Sequence, residues 1–407
     1  MTSARCGRTR EVRYEMTTVE SMATEATLDD VRQAAKAVTS RFSDDYYREV
    51  DERDAFPEEF AKAAEKAGLH SVMIPEEYGG WGLGVTEASV ITEEINRSGG
   101  AGAAIHAAMF AMGIVVGHGS DELKKKWLPQ ITSGDVRLTT FALTEPNAGT
   151  ETSKLATTAR RDGDDWVFNG QKVFISRAAY TDLMVIMART SPSPDPAKPG
   201  LGISCFLVDI RDVDPARLSM KKIPLIFNHH TYELFIDDLR VPGDALIGEE
   251  GMGFKYLFDG LNAERIVIAA ECVGDGRWFV DRAVKYANER VLFGKPIGAN
   301  QGIQHPIAKG YAHLEAADAM RWKAAAAYDA KAENAGALAN MAKFLAAEAS
   351  WELAEACMQT HGGFGLAKEY DIERKFRDNR VFQVAPVSPN MVLNYLSHKV
   401  LGMPKSY

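Results

Sequence analysis

The sequence predicts an α+β protein with an N-terminal helical domain, a middle β domain and a C-terminal helical bundle. Three observations support this class. Apolar residues recur with helical spacing through residues 27–137, and their period falls to two over 138–250. From 251 to 407 the helical period returns in long segments with short connections, which is typical of a bundle.

The N-terminal domain shows helical signals in LDDVRQAAKAV, FPEEFAKAAEKAGL and VTEASVITEEINRSGG. Pro57 suits a first helical turn and Gly68 suits a helix end. The apolar run at 101–117 is interrupted by His106 and is shorter than the ~20 residues needed to cross a bilayer. It is interpreted as a core helix, and no membrane span is predicted.

The middle domain alternates apolar strands with turn residues, and Asn169-Gly170 predicts a hairpin turn within it. The Pro-rich residues 191–202 are interpreted as a surface loop, because strands resume after them. The predicted strands are LTTFAL, LATTARR, WVF, QKVFIS, LMVIMART, ISCFLVDI and YELFIDDLRVP. The predicted bundle helices lie near 255–292, 301–333 and 336–361, with a last one after Pro389.

Composition excludes several classes of function. The 47 basic and 56 acidic residues give a net charge of −9, which argues against nucleic-acid binding. The four cysteines form no CxxC pair, so neither a disulfide framework nor a metal site is indicated, and a cytoplasmic location is favoured. Residues 1–26 lack the apolar stretch of a secretory signal and are interpreted as a ragged or disordered leader, with an organelle transit peptide as the alternative.

Motifs for nicotinamide, P-loop, zinc-protease and α/β-hydrolase chemistry (GxGxxG, GxxxxGK[ST], HExxH and GxSxG) are absent from the sequence. Strand-end hydroxyls in FALTEPNAGTETSKL and VFISRAAYTD suit a heteroaromatic ring with several hydrogen-bond acceptors. The arginine of ERVLFGKPIGANQ and the glycines of QTHGGFG suit a pyrophosphate and an adenosine. Turn residues that bond their own backbone, and ordinary helix caps, are the alternatives.

Five segments in this order, TEPNAGT, NGQKVFIS, VPGDALIGEEGMGF, ERVLFGKPIGANQ and QTHGGFG with RKFRD, resemble the acyl-CoA dehydrogenase family over about 40–407. The resemblance implies a β domain of two small sheets, a four-helix bundle, and FAD held between them. It also implies an acyl-CoA substrate, electron-transfer flavoprotein as the electron acceptor, and a homotetramer arranged as a dimer of dimers.

The resemblance also assigns roles to single residues. Thr144 would bind the flavin pyrimidine edge beside Leu143, and Ser176 would reach flavin N5. Phe174 stands where a tryptophan is usual, and Thr150 would contact both FAD and the pantetheine arm. Further cofactor contacts are implied for Phe141, Ile175, Ser388 and Asn390 and, toward a neighbouring subunit's cofactor, for Arg290, Phe293, Gln301, Gln359, Gly362 and Gly363. Substrate contacts are implied for Thr150, Asn262, Arg265 and Val387.

The catalytic base is not at the position where many members of the family carry it. Those members have a glutamate in a YEGT-like stretch before the last helix, and here Pro386 stands there. In members resembling isovaleryl- and long-chain acyl-CoA dehydrogenases, the base precedes an arginine on a bundle helix, which matches Glu264 and Arg265. A dry cleft would raise the pKa of this carboxyl toward that of an effective base.

Glu271 is the alternative base, because it lies on the same predicted helical face about 10 Å from Glu264. It is interpreted instead as part of a structural ion pair, with Arg277 or with a neighbouring helix. Pro386 has no N–H to donate to a thioester oxygen. Either Val387 donates in its place or the site has one donor fewer.

The predicted function is FAD-dependent α,β-dehydrogenation of an acyl-CoA to the trans-2-enoyl-CoA, with Glu264 removing the α-proton. One alternative is another flavoenzyme reaction on the same fold, namely that of an acyl-CoA desulfinase, a nitroalkane oxidase or a flavin-dependent oxygenase. Another alternative is a flavin-bound binding protein without turnover. Acyl chain length and branching stay open, because a few side chains set the depth of such a pocket.

Overall fold

The structure, a computed structural model, describes residues 25–405, so the predicted leader lies almost entirely outside the described residues. The described part begins with helices that enclose an apolar core, which confirms the helices predicted for the N-terminal segments. These helices are α1 (Glu25–Thr39), α2 (Asp44–Glu52), α3 (Glu58–Lys66), α4 (Val85–Arg97), α5 (His106–His118) and α6 (Asp121–Ser133).

Local chemistry explains several of these helix boundaries. The Ser43 side chain accepts a hydrogen bond from the Tyr46 N–H at the start of α2, and Ser120 caps α6 in the same way. Most of the apolar run at 101–117 forms α5, which begins at His106 and is largely buried, as predicted for a core helix. Among residues 25–405, no helix has the length and apolar character needed to span a membrane.

The middle of the chain forms one eight-stranded sheet in the order β6-β7-β3-β2-β4-β5-β8, with β1 paired to β4. Its two halves are joined where β2 meets β4 at the single pair Thr158–Arg189, so the two predicted sheets are continuous at one point. The strands are β1 (Leu138–Ala142), β2 (Thr158–Asp162), β3 (Asp165–Ser176), β4 (Leu183–Arg189), β5 (Ile203–Asp209), β6 (Leu218–Ile223), β7 (Thr231–Pro242) and β8 (Leu246–Ile247).

The prediction of a hairpin turn at Asn169-Gly170 is wrong. Strand β3 runs straight through these residues, and its register against β7 shifts between Phe168 and Gly170, as at a β-bulge. Gly170 has φ +153°, and a Cβ there would lie 2.5 Å from Thr157 Oγ1. An Asn-Gly pair suits a bulge as well as a turn, so the dipeptide alone did not distinguish them.

The C-terminal helices surround one long central helix, α7. At about 1.5 Å per residue its 37 residues extend roughly 55 Å. It starts against β5, where a Cβ on Gly253 would lie 2.5 Å from the Cys205 nitrogen, and it continues into the bundle. The elements are α7 (Gly253–Glu289), a hairpin of β9 (Val291–Leu292) and β10 (Lys295–Pro296), α8 (Gln301–Asp329), α9 (Ala335–His361), α10 (Ile372–Asn379) and α11 (Pro389–Tyr395).

A buried ionic cluster fastens the N-terminal domain to the bundle. The Glu93 carboxylate on α4 accepts from Arg321 of α8 at 3.1 Å and from Arg277 of α7 at 2.8 Å. Both arginines also contact Asp318 on α8. Because each charge in this cluster has an opposite charge beside it, the three helices are held in a fixed relation.

We expect Gly170→Ala to lower the free energy of unfolding by at least about 2 kcal/mol, because the added Cβ meets Thr157 and an L-residue is strained at this φ. Chemical denaturation followed by circular dichroism measures the change. Gly149→Ala in the same domain is the control, because a Cβ there meets no atom within 4 Å. Equal unfolding midpoints for the two variants would contradict this account of the bulge.

Candidate active site

A cavity of about 290 Å³ lies where the sheet meets the helices. Its walls come from the ends of β1 and β3, the segment leading into α5, the first half of α7, and the chain after α10. The residues singled out from the sequence that line it are Phe141, Leu143, Thr144, Phe174, Ser176, Glu264, Glu271 and Pro386.

The sheet side of the cavity is fixed by hydrogen bonds behind its surface. Thr144 donates its hydroxyl to the Val173 carbonyl, which ties the end of β1 to β3. The buried Lys172 Nζ donates to the Leu143 carbonyl at 3.1 Å and to Glu145 at 2.9 Å. These hydrogen bonds fix the position of the end of β1 relative to β3.

Two side chains on β3 line the cavity and are free to contact a ligand. Phe174 has φ +57° and is 62% exposed, so its ring stands free at the cavity mouth. The Ser176 hydroxyl makes no side-chain hydrogen bond to any described residue, which leaves it able to donate to a bound ring. Ile175 between them points the other way, into the core of the sheet.

Glu264 is a half-buried carboxyl on α7 that faces the cavity. Within residues 28–405 it has no ion-pair partner at contact distance. Burial raises the pKa of Glu264 to about 7, while the nearby charges of Arg265, Lys343 and Arg177 oppose that rise. Desolvation thus dominates, which is the balance that the sequence predicted for a carboxyl in a dry cleft.

Arg265 and Asn262 lie beside the cavity and do not line it. Arg265 is buried and donates from Nη1 to Asn262 Oδ1 at 2.8 Å, one turn earlier on α7. Burial lowers the pKa of Arg265, and the charge of Glu264 raises it. The predicted substrate contacts of these two residues stay predictions.

Glu271 lines the same cavity but is held differently. It is 1% exposed, and its Oε1 lies 2.8 Å from Nδ1 of His106 on α5. Of the two partners considered from the sequence, the neighbouring helix is therefore the one observed, since Arg277 pairs with Glu93 and Asp318. The other ring nitrogen of His106 lies 3.0 Å from Arg177 Nη2.

The chain after α10 closes the cavity at Pro386, which presents no N–H. Lys343 on α9 holds this loop by donating from Nζ to the Phe382 carbonyl at 2.7 Å and to the Val387 carbonyl at 2.9 Å. Burial lowers the pKa of Lys343 to about 8. Ser388 caps α11 by accepting from the Met391 N–H, and Asn390 is exposed on that helix.

Six other predicted cofactor residues lie outside this cavity, on the surface near the end of α7, the start of α8 and the end of α9. Phe293 on the β9–β10 hairpin is fully exposed, and a Cβ on Gly362 or Gly363 would meet open space. Thr150, in the segment between β1 and β2, is also exposed. The exposed residues of the bundle ends are Arg290, Phe293, Gln301, Gln359, Gly362 and Gly363.

Several polar residues of the cavity were not identified from the sequence as site residues. His106 was noted only as the interruption of an apolar run, and Arg177 directly follows Ser176. A polar side chain inside an otherwise apolar helix was the one available signal. His229, His230 and Asp378 carry no such signal, because each lies in an ordinary polar stretch.

Family models for the acyl-CoA dehydrogenase N-terminal, middle and C-terminal domains match residues 25–135, 140–238 and 251–386. The chain is 38% identical over 379 residues to acyl-CoA dehydrogenase FadE12 of Mycobacterium tuberculosis, covering 93% of this chain and 96% of that protein. It is 35% identical over 364 residues to a glutaryl-CoA dehydrogenase of Desulfococcus multivorans, covering 88% and 92%.

A solved structure, the glutaryl-coenzyme A dehydrogenase glutaryl-CoA complex, superimposes with a TM-score of 0.87 at 31% identity. The match covers 95% of this chain and 98% of that one. Butyryl-CoA dehydrogenase from Megasphaera elsdenii superimposes with a TM-score of 0.85 at 26% identity, over 94% of this chain and 100% of that one. The helical, β and helical parts are therefore shared along nearly the whole length.

The different surroundings of Glu264 and Glu271 predict opposite effects of the same substitution on stability. The pKa of Glu264 in the folded state is above its unfolded value, so ionisation of this carboxyl disfavours folding increasingly from about pH 4.5 to about pH 7. We expect Glu264→Gln to stabilise the protein, and the gain to grow by about 2 kcal/mol between about pH 5.5 and about pH 8.

Glu271→Gln is the matched comparison, since it removes the buried carboxylate that pairs with His106. We expect it to lower the free energy of unfolding by about 3 kcal/mol, because a buried hydrogen-bonded partner is lost. Denaturant titrations of the two variants and the parent give these differences. A pH-independent effect of Glu264→Gln would show that its carboxyl is solvated in the folded protein.

Proposed function

The chain belongs to the acyl-CoA dehydrogenase family, and we propose that it oxidises a saturated acyl-CoA to the trans-2-enoyl-CoA with FAD as its cofactor. The observation that carries the proposal is the Glu264 carboxyl, which faces a cavity beside the free ends of β1 and β3 and is the one carboxylate of that wall without an ion-pair partner among the described residues. Relatives named as acyl-CoA and glutaryl-CoA dehydrogenases support the substrate class.

The residues at the cavity mouth fit a flavin ring. The unpaired Ser176 hydroxyl and the backbone around Leu143 and Thr144 would hold its polar edge, and the free ring of Phe174 would cover an apolar part. FAD, when bound, accepts the hydride that leaves the β-carbon of the acyl chain.

The exposed bundle-end residues fit the other half of the cofactor. A guanidinium at Arg290 and open backbone at Gly362 and Gly363 suit a diphosphate and an adenosine. Because these residues lie away from the cavity of their own chain, they would serve the cofactor of a neighbouring subunit. A homotetramer, arranged as a dimer of dimers, is the assembly proposed on this basis.

Glu264 is proposed as the base that removes the α-proton. With a pKa of about 7 it is substantially ionised at neutral pH and still more basic than an exposed carboxylate, which is the compromise that general-base catalysis favours. Glu271 is less suited to this role, because its carboxylate is already engaged by His106. Electrons would then leave through an electron-transfer flavoprotein.

We expect Glu264→Gln to keep bound FAD but to lose at least about 100-fold in the rate of flavin reduction by an acyl-CoA, the usual contribution of a general base. Anaerobic mixing followed by flavin absorbance measures this rate. Glu333→Gln, at an exposed position between α8 and α9, is the control and should leave the rate unchanged. Loss in Glu271→Gln but not in Glu264→Gln would transfer the role of base to Glu271.

The same measurement separates the alternative functions. A dehydrogenase bleaches its flavin anaerobically and consumes little oxygen, whereas an oxidase or oxygenase consumes oxygen with its substrate. A binding protein would hold FAD that no acyl-CoA reduces.

We also expect the reduction rate to rise with pH and to level off above about pH 7, because only the ionised Glu264 accepts a proton. Rapid mixing at a series of pH values gives the profile. A profile that is flat from about pH 5.5 to about pH 8.5 would exclude a base with this pKa.

A further inference from the structure

The cavity has a polar inner end. Glu264 and Glu271 lie two turns apart on α7, so the cavity extends roughly 10 Å past the proposed base. Between them Ile268 lines the wall, and α5 contributes Ala107 and Phe110. An acyl chain that starts beside Glu264 therefore crosses an apolar stretch and ends among ionisable side chains.

Arg177 is the distinctive group at this inner end. It is 5% exposed, and its backbone N–H donates to the His230 carbonyl at 2.6 Å. Its Nη2 lies 3.0 Å from His106 Nε2, but its Nε has no hydrogen-bond acceptor in the described part of the chain. Burial lowers the pKa of Arg177 only to about 10, so the guanidinium is charged at neutral pH.

Arg177 differs from the other cation that lines the cavity, Lys375, in its ion pairing. Lys375 forms an ion pair with Asp275, and Asp378 lies 3.8 Å from Arg374. Within residues 28–405, Arg177 has no carboxylate at ion-pair distance, since Glu271 contacts the far side of His106. The charges of Glu271 and Glu264 act on Arg177 from further away and raise its pKa against the effect of burial. Burying a guanidinium in this position lowers the stability of the protein unless an anion binds to it.

The neighbouring histidines add no second positive charge at this end of the cavity. Burial, reinforced by the positive charge of Arg177, lowers the pKa of His229 well below its usual value and also lowers that of His230. A hydrogen bond to the Ala55 backbone opposes the fall in the pKa of His230. The unused hydrogen-bonding capacity at this end of the cavity is therefore that of Arg177, whose Nε lacks an acceptor among the described residues.

Resting on the dehydrogenase function proposed above, we propose that the inner end binds a carboxylate at the far end of the acyl chain, so that ω-carboxyacyl-CoA thioesters are the preferred substrates. A guanidinium fork matches a carboxylate with two parallel hydrogen bonds, which a methyl end cannot form. The guanidinium lies against His106 of α5, on the Glu271 side of the cavity, and this favours the acyl end over the flavin as its ligand.

The test compares acyl-CoA pairs that differ only at the end of the chain: adipyl-CoA with hexanoyl-CoA, and pimelyl-CoA with heptanoyl-CoA. The methyl ester of adipyl-CoA keeps the carbonyl but removes the charge. Anaerobic rapid mixing of the FAD-bound enzyme at several ligand concentrations gives both the Kd and the rate of flavin reduction. We expect each carboxylate to bind at least about 30-fold more tightly than its methyl-ended partner, with the ester close to the latter.

Arg177→Gln should reduce that ratio to near one and leave the Kd of hexanoyl-CoA within a few fold, whereas Arg177→Lys should keep part of the preference because the charge remains. Arg161→Gln, on the sheet and stacked over Trp166, is the control and should leave the ratio unchanged. If Arg177→Gln does not bind FAD, the preference of the parent enzyme for the carboxylate over the methyl-ended ligand becomes the test of the proposal.

Equal or tighter binding of the methyl-ended thioesters by the parent would overturn the inference while leaving the dehydrogenase intact. Arg177→Gln that slows both members of a pair equally, with an unchanged ratio, would also overturn it and would assign the guanidinium to the flavin. If no thioester bleaches the flavin, the dehydrogenase function fails, and equilibrium dialysis of the same pairs still decides whether the carboxylate is preferred.

Discussion

Partial burial of the Glu264 carboxyl is the constraint on which the rest of the proposed site depends. Burial is the largest cause that moves its pKa to about 7, against three nearby cations and with a smaller contribution from the charge of Glu271. The walls that exclude water come from the sheet, from the segment before α5 and from the loop at Pro386. The surroundings of the proposed base therefore come from all three parts of the chain.

Keeping a carboxyl from water lowers stability, so the framework around it must be held by other interactions. The Glu93 cluster fastens α4, α7 and α8 together through Arg277 and Arg321. Lys343 of α9 holds the loop at Pro386 by donating to two of its backbone carbonyls. These side chains hold the walls of the cavity together, and they can do so without contacting a ligand.

The two glutamates of α7 show how packing assigns different roles to the same chemistry. They lie on one face and line one cavity, yet Glu271 is engaged by His106 and Glu264 by no described side chain at contact distance. The first is suited to structure and the second to proton transfer. His106 also joins Glu271 to Arg177, so the structural pair borders the polar inner end where a second ligand group would bind.

The order of the domains, most helices and strands, and Glu264 as the base candidate could be predicted from the sequence, because they depend on local spacing and on motifs. The strand through Gly170 could not, since Asn-Gly suits both a turn and a bulge and only the pairing with β7 decides between them. The inner end of the cavity could not be predicted either. His106 meets Arg177 across 71 positions and Glu271 across 165, and contacts between residues so far apart in the chain exist only once the helices and the sheet have packed.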